Sequence, residues 1–232
     1  MDMATLQEAT DGAIKRRVLV VDDHPIVRQG ISQLIDREAD MQVCGEAADA
    51  EEALGACQSC QPDLAIVDLS LTGVSGLKLV KQLRNRCPGL AILMMSMHDE
   101  TVYAERCLQA GANGYLMKQE ATATVLSAIR AVLKGELHLS ERMRGLLLQQ
   151  RITGQASSSP IAGLTATEFE VFGHIAKGLG INEIARQLNR SASTIETHRS
   201  NIKRKLDIAT NSELVLYAYN RLNETDRAGP EI

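Results

Sequence analysis

The 232 residues are 44% hydrophobic and 23% charged, the mix of a globular protein, which excludes a chain disordered throughout. No apolar run approaches the ~18–20 residues a bilayer crossing needs, and MDMATLQEATDGAIKRR has no apolar stretch before its basic pair, so neither a membrane span nor a secretory signal is expected. The net charge of -4 conceals a split: residues 17–138 hold 11 Lys/Arg against 16 Asp/Glu, and 164–222 hold 8 against 6. An acidic part followed by a mildly basic one predicts two domains with different partners.

Residues 1–16 read as a tail. From Arg17 to Leu133, β-rich runs alternate with helical patterns: RVLVVD (17–22), MQVCGEA (41–47), DLAIVD (63–68), LAILMMS (90–96) and NGYLMK (113–118). Continuous rather than alternating apolarity in VLVV and LAIV marks strands covered on both faces, hence a parallel sheet between helices. The clearest helix places Val125, Leu126, Ile129, Val132 and Leu133 on one buried face. These units predict one α/β, doubly wound domain over 17–138. Residues 139–163 form a linker in which LSERMRGLLLQQR can make a short helix and TGQASSSP (153–160) has nothing to bury.

Over 164–223 every element reads as helix. Thr165 and Glu168 have capping-box spacing and open a helix over 166–178 that Gly178 ends. INEIARQL (181–188) is a second helix, Ser191 caps a third over 192–206, and Asn211 or Ser212 opens a fourth to Leu222. Residues 224–232 read as a second tail.

The polar residues of the first domain fall at strand ends. Asp22 and Asp23 follow the first strand, Asp68 ends the third, Ser96 the fourth and Lys118 the fifth. In an open parallel sheet these points share the carboxyl edge, where ligands bind. Three carboxylates so close repel each other, and the remedies are a bound divalent cation or a shared proton. Hard oxygen donors with room for water suit Mg²⁺. A lysine and a hydroxyl across the site would hold an anion that the metal also touches, such as a phosphoryl group. With no Cys nucleophile or Ser–His pair at this edge, the nucleophile left is a carboxylate, forming an aspartyl phosphate.

VVDDHP (20–25), DLSLTGVSG (68–76), MSMHDE (95–100) and GANGYLMK (111–118), in this order and spacing, resemble the receiver domain of bacterial two-component response regulators over 17–135. The resemblance implies a five-stranded flavodoxin/CheY-like sheet of order 2-1-3-4-5 with Asp68 as phospho-acceptor. It implies Asp23 as a direct Mg²⁺ ligand, Asp22 acting partly through water, and the backbone carbonyl of Ser70 completing the metal shell. Lys118 would pair with the phosphoryl group, Ser96 would be the switch hydroxyl and Tyr115 the aromatic that turns inward. Leu71-Thr72 stands where the family usually has Met-Pro, removing a proline that stiffens the loop. A turnover phosphotransferase would have a second acid two residues past its nucleophile, where Ser70 stands, so no turnover enzyme is expected. A receiver governed by protein partners without phosphorylation stays open.

At 100° per residue, Ile202 and Leu206 lie close to Ile195 on the inner face of the third C-terminal helix. Thr197, Ser200, Asn201 and Arg204 face away, flanked by Glu196 and Lys203, as in a recognition helix of a helix-turn-helix. Glu196 would accept from a cytosine amino group, and Thr197 or Ser200 would meet either base type or a thymine methyl. Thr194 in the first turn joins these DNA-contacting candidates, and Lys203, Arg204 and Lys205 would neutralise phosphates. LTATEFEVFGHIAKGLGINEIARQLNRSASTIETHRSNIKRKL (164–206) resembles the LuxR-type DNA-binding domain of NarL/FixJ-type regulators. Gly178, Glu183, Ile184, Ala185, Ser191, Thr194, Ile195, His198, Lys205 and Leu206 match it; Ala166, Thr167, Phe169 and Gly180-Ile181 depart from it.

The two resemblances together imply a cytoplasmic transcription regulator phosphorylated by a sensor histidine kinase. It would bind double-stranded promoter DNA as a homodimer, with RNA polymerase a candidate further partner and no membrane involved. Leu214, Val215, Leu216 and Tyr219 serve either pairing of two chains or packing within one. The five cysteines (Cys44, Cys57, Cys60, Cys87 and Cys107) are odd in number and suit a reducing cytoplasm. Cys57-x-x-Cys60 has no second ligand pair for zinc and lies off the strand ends where a redox motif is expected. His24 reads as a loop residue, and His98, His138 and His174 give no signal.

Overall fold

The computed structural model describes residues 15–153 and 160–223. Its sheet contains β1 (Arg16–Val21), β2 (Met41–Ala47), β3 (Leu64–Asp68), β4 (Ala91–Ser96) and β5 (Gly114–Met117), all parallel in the order β2-β1-β3-β4-β5. The order is that expected, and β3 and β4 end at Asp68 and Ser96 as expected, while β5 stops at Met117, one residue before Lys118. The tail assigned to 1–16 is too long, because Arg16 pairs with Met41 and its N–H reaches the Asp40 carbonyl at 2.9 Å; the tail before Lys15 lies outside the described residues.

Five helices cover the sheet: α1 (Pro25–Asp36), α2 (Ala50–Cys60), α3 (Gly76–Arg86), α4 (Glu100–Ala110) and α5 (Thr122–Leu133). Strand side chains alternate between the faces. Leu19, Val21, Ala65, Val67, Ile92 and Met94 meet Ala53, Leu79, Leu83, Ala104 and Cys107 of α2, α3 and α4. Val18, Val20, Leu64, Ile66, Leu93 and Met95 meet Ile31, Ile35, Ala128, Ile129 and Val132 of α1 and α5. Covering on both faces is the reason the strands read as unbroken apolar runs.

The expected linker helix is α6 (Glu141–Thr153), which buries Met143; residues 154–159 of the expected Ser/Gly linker lie outside the described residues. A short 3-10 turn, Pro160–Gly163, was not expected, and it buries Ile161. Four helices follow: α7 (Ala166–Ala176), α8 (Ile181–Gln187), α9 (Ala192–Leu206) and α10 (Asn211–Asn223). The Thr165–Glu168 capping box forms: the Thr165 amide donates to Glu168 Oε2 at 2.8 Å, and the Glu168 amide donates to the Thr165 hydroxyl at 3.3 Å. Such a cap is worth about 1 kcal/mol. Helix α7 stops two residues before Gly178, whose φ of +77° is the left-handed turn that releases the chain toward α8. Ser191 caps α9 by accepting from the Thr194 amide at 3.1 Å, and Ile195 and Ile202 are fully buried. Residues 224–232 lie outside the described residues. No helix of the described residues is long and apolar enough to cross a membrane.

The two halves share one apolar cluster. The Tyr103 ring on α4 meets the Phe169 ring on α7 edge-on at 5.0 Å. Arg106 lies over Phe169 at 4.0 Å and donates to the carbonyls of Ile161 (2.5 Å) and Leu164 (3.1 Å). These contacts span more than fifty residues and have no counterpart in local pattern.

Candidate functional site

Strand ends β1 and β3 bring Asp22, Asp23 and Asp68 together. One ligand atom from each of them and from His24 lies within 4.8 Å of the others. Asp22 and Asp68 are almost fully buried. Lys118, one residue past β5, places Nζ 2.7 Å from Asp22 Oδ2 and 3.0 Å from Asp68 Oδ2. Burial pushes the Asp68 carboxyl up; Lys118 opposes this without cancelling it, and Asp22 adds to the rise. Burial pulls Lys118 down, but its two carboxylate partners more than offset that and hold it above its ordinary value.

Asp23 Oδ1 and Asp68 Oδ2 are buried and have cationic or imidazole neighbours at ion-pair distance, yet neither receives a well-directed hydrogen bond. The distances establish coulombic contact, and the missing alignment leaves lone pairs free. Hard carboxylate oxygens with free lone pairs, converging on one point, fit a small divalent cation.

Asp23 is further fixed by Thr72, whose amide and hydroxyl both reach its Oδ2, at 3.1 and 2.5 Å. Burial works to raise the Asp23 pKa, but Thr72 and His24 together hold it below the usual carboxylate range. A proline at 72 has no N–H or hydroxyl to give, so the residue that departs from the family pattern is itself a partner of the site.

Helix α3 starts hard against Asp68. A Cβ built on Gly76 would stand 2.2 Å from the Asp68 carbonyl oxygen and 2.8 Å from the Leu69 Cα. Gly76→Ala is therefore expected to destabilise the first domain by roughly 1–3 kcal/mol, as overpacking does. Urea denaturation checks this; an unchanged midpoint would show that the loop after Asp68 yields freely.

From the acid cluster a run of contacts leads to α7. Ser70 Oγ lies 3.0 Å from His98 Nε2, and the His98 ring stacks on Tyr103 at 5.0 Å. The His98 amide donates to the Ser96 hydroxyl at 3.0 Å, while its carbonyl accepts from the Tyr115 hydroxyl at 2.8 Å. Tyr115 is buried and already turned inward; burial drives its pKa well up. Burial likewise lowers His98, helped by Lys177 and Lys118. Tyr103 then meets Phe169. Nothing in the sequence marked His98, since its role depends on Ser70 past the end of β3, Tyr115 of β5 and Tyr103 of α4.

On α9, Thr197, Ser200 and Arg204 are exposed, with Thr194, Glu196, Asn201 and Lys203 half-buried around them. Thr197 Oγ1 donates to the Ser193 carbonyl at 3.0 Å, and Arg204 donates to Asn201 Oδ1 at 3.3 Å. The α8–α9 pair and the exposed face have the form of a helix-turn-helix.

A profile described as the response regulator receiver domain matches residues 18–130, and one described as bacterial regulatory proteins of the luxR family matches 162–218. The oxygen regulatory protein NreC of Staphylococcus carnosus is 35% identical over 88% of this chain and 97% of its own. Response regulator UvrY of Escherichia coli is 34% identical over 85% and 90%. The chain is a response regulator of the NarL/FixJ type. Among solved structures, RcsB of Salmonella typhimurium superposes with a TM-score of 0.72 at 26% identity, over 90% of the regulator and 98% of that chain. RcsB bound to promoter rprA with a phosphomimetic gives 0.68 at 26% identity, over 88% and 98%.

Two expected site residues have partners within the chain. Ser70 stands beside the acids, but its visible contacts are its amide to Asp68 Oδ1 at 3.3 Å and its hydroxyl to His98. Lys205, expected at DNA phosphates, is exposed and donates to Glu168 Oε2 at 2.6 Å and to the Gly163 carbonyl at 3.2 Å. That ion pair ties α9 to the α7 cap. Burial would raise Glu168, but Lys205 and Thr165 hold it below the usual range.

Proposed function

We propose that this regulator controls transcription through phosphorylation of Asp68 by a sensor histidine kinase, in the cytoplasm, and that it is not a turnover enzyme. The observation carrying the reading is the acid cluster bridged by Lys118, with unsatisfied oxygens on Asp23 and Asp68. Asp23, Asp68 and the carbonyl of Ser70 would hold Mg²⁺ directly and Asp22 partly through water. When bound, the ion supplies charge neutralisation for the transferring phosphoryl oxygens.

An Asp68 oxygen attacks phosphorus as the P–N bond to the kinase phosphohistidine breaks and its imidazole leaves, and Lys118 releases Asp68 Oδ2 to pair with the new phosphoryl oxygens. Ser96 turns its hydroxyl to the phosphoryl group and gives up the His98 amide. That loosens the His98 main chain on which Tyr115 rests and shifts the packing of Tyr103 on Phe169. A two-state interface is biased by local charge in this way without a new fold.

DNA recognition falls to α9. Leu214, Ala218 and Leu222 of α10 are buried, while Val215, Leu216 and Tyr219 are exposed on its other side. That apolar stripe supports pairing of two regulators on DNA. RcsB dimers bound to two DNAs share this architecture at a TM-score of 0.55 and 27% identity.

Selection from a random duplex pool, with and without a small phosphodonor and Mg²⁺, tests the function: a two-half-site sequence enriched by the donor is expected, and no enrichment contradicts it. On the selected site, Thr197→Ala or Ser200→Ala should change base preference. Lys203→Ala should weaken selected and random DNA alike and lessen the salt slope by about one. Equal losses on both DNAs for Thr197→Ala and Ser200→Ala would remove them as base readers.

A further inference from the structure

The two cysteines of Cys57-x-x-Cys60 do not face each other; each is paired with a cysteine from another element. Cys57 Sγ lies 2.7 Å from Cys87 Sγ, and Cys60 Sγ lies 2.9 Å from Cys44 Sγ, with all four thiols free. A disulfide bond is about 2.05 Å long, so each pair is less than 1 Å from bonding distance and needs only small side-chain rotations to close. The Cys57–Cys87 pair borders an open surface pocket of ≈ 230 Å³ formed with Gln61, Pro62, Pro88 and Gly89. Cys57 is buried and Cys87 half-buried at the cap of α3, so the pocket gives a small oxidant a way to Cys87. Burial and the hydrogen bond with Cys87 push the Cys57 thiol up to about 12.

We propose that Cys57 and Cys87 form a dithiol modification site in the receiver, closed to a disulfide by small hydroperoxides and reopened by small thiols. The Cys87 sulfur attacks the outer peroxide oxygen, giving a sulfenic acid and, from hydrogen peroxide, one water. The Cys57 sulfur then displaces the sulfenic oxygen, whose departure with the Cys57 proton makes a second water. Two thiols lose two electrons and two protons, and the peroxide is reduced to two waters. The bridge ties the end of α2 to the α3–β4 loop. Arg84 already holds that loop through the Pro88 (2.7 Å) and Leu90 (2.8 Å) carbonyls, and the same guanidinium reaches Gly111 (2.6 Å) at the end of α4. Closure therefore stiffens the base of the helix that touches Phe169.

The test treats the full chain with equimolar hydrogen peroxide, blocks free thiols with N-ethylmaleimide, and sequences non-reduced peptides by tandem mass spectrometry. A Cys57–Cys87 cross-linked peptide two hydrogens lighter than its parts, lost on treatment with dithiothreitol, is expected. The oxidised chain should melt at least about 5 °C higher than the reduced one, a shift absent from Cys87→Ser. Both thiols recovered as maleimide adducts, Cys87 recovered as sulfinic acid, or a Cys57–Cys60 bridge would each overturn the assignment.

Discussion

Asp68→Asn is expected to abolish uptake of a phosphoryl group from small phosphodonors and to leave DNA affinity the same with and without donor. The amide keeps the shape of the acid and one acceptor oxygen for the Ser70 amide, while Lys118 loses Asp68 Oδ2 but keeps Asp22 Oδ2, so the fold should persist. What it loses is the anionic nucleophile. No other carboxylate replaces it: Asp23 is tied to Thr72 and His24, and Asp22 accepts the His24 amide at 2.9 Å in addition to Lys118. Intact mass and a gel-shift titration on the same sample check this. A variant that still gains phosphoryl mass would place the acceptor elsewhere, and one that responds to inducing conditions as the parent does would mean that protein partners, not phosphorylation, throw the switch.

Lys118→Ala is expected to have the largest effect on stability. It leaves Asp22 and Asp68 buried, adjacent and without their shared cation, a loss of about 3–5 kcal/mol near neutral pH without metal. Two conditions should restore part of it. Mg²⁺ replaces the missing positive charge and stabilises by mass action. Acid also helps, and its sign follows from linkage. Burial already raises Asp68 in the parent, and losing Lys118 raises it further, so the native variant holds a proton that the unfolded chain has released. Its stability should climb as pH falls from about 7 toward about 4 and gain nothing below the unfolded carboxylate pKa. Urea midpoints across that range, with and without Mg²⁺, measure both. A loss insensitive to pH and to Mg²⁺ would mean that Lys118 acts through packing alone.

The sheet was legible because each strand announces itself twice, by an unbroken apolar run and by the polar residue that ends it. Asp68 and Lys118 could be placed at one edge from those endings, since parallel strands put all their carboxyl ends together. The α7 cap was legible for a similar reason: Thr165 and Glu168 are three residues apart and need no other element. What the sequence concealed lies between distant segments. Thr72 looked like a lost proline, and only the approach of β1 shows that it holds Asp23. Lys205 looked like one of three equivalent cations, and only the packing of α9 against the turn before α7 gives it Glu168 as a partner. Phe169 stood out as a departure from the family pattern, with no hint that Tyr103 and Arg106 of another domain meet it. Cys57-x-x-Cys60 read as one motif, whereas the fold gives its members separate partners. In each case the deciding contact joins residues whose separation carries no periodicity.

The most direct test of the proposed switch is chemical trapping on the unmodified regulator. The full chain is incubated with a small phosphodonor and Mg²⁺, reduced with borohydride to convert any acyl phosphate to a stable alcohol, and mapped by peptide mass, while DNA affinity is titrated in parallel. Conversion confined to Asp68, rising in step with DNA affinity, is the expected result. Conversion at any other residue, or full conversion at Asp68 with unchanged affinity for DNA, would contradict it.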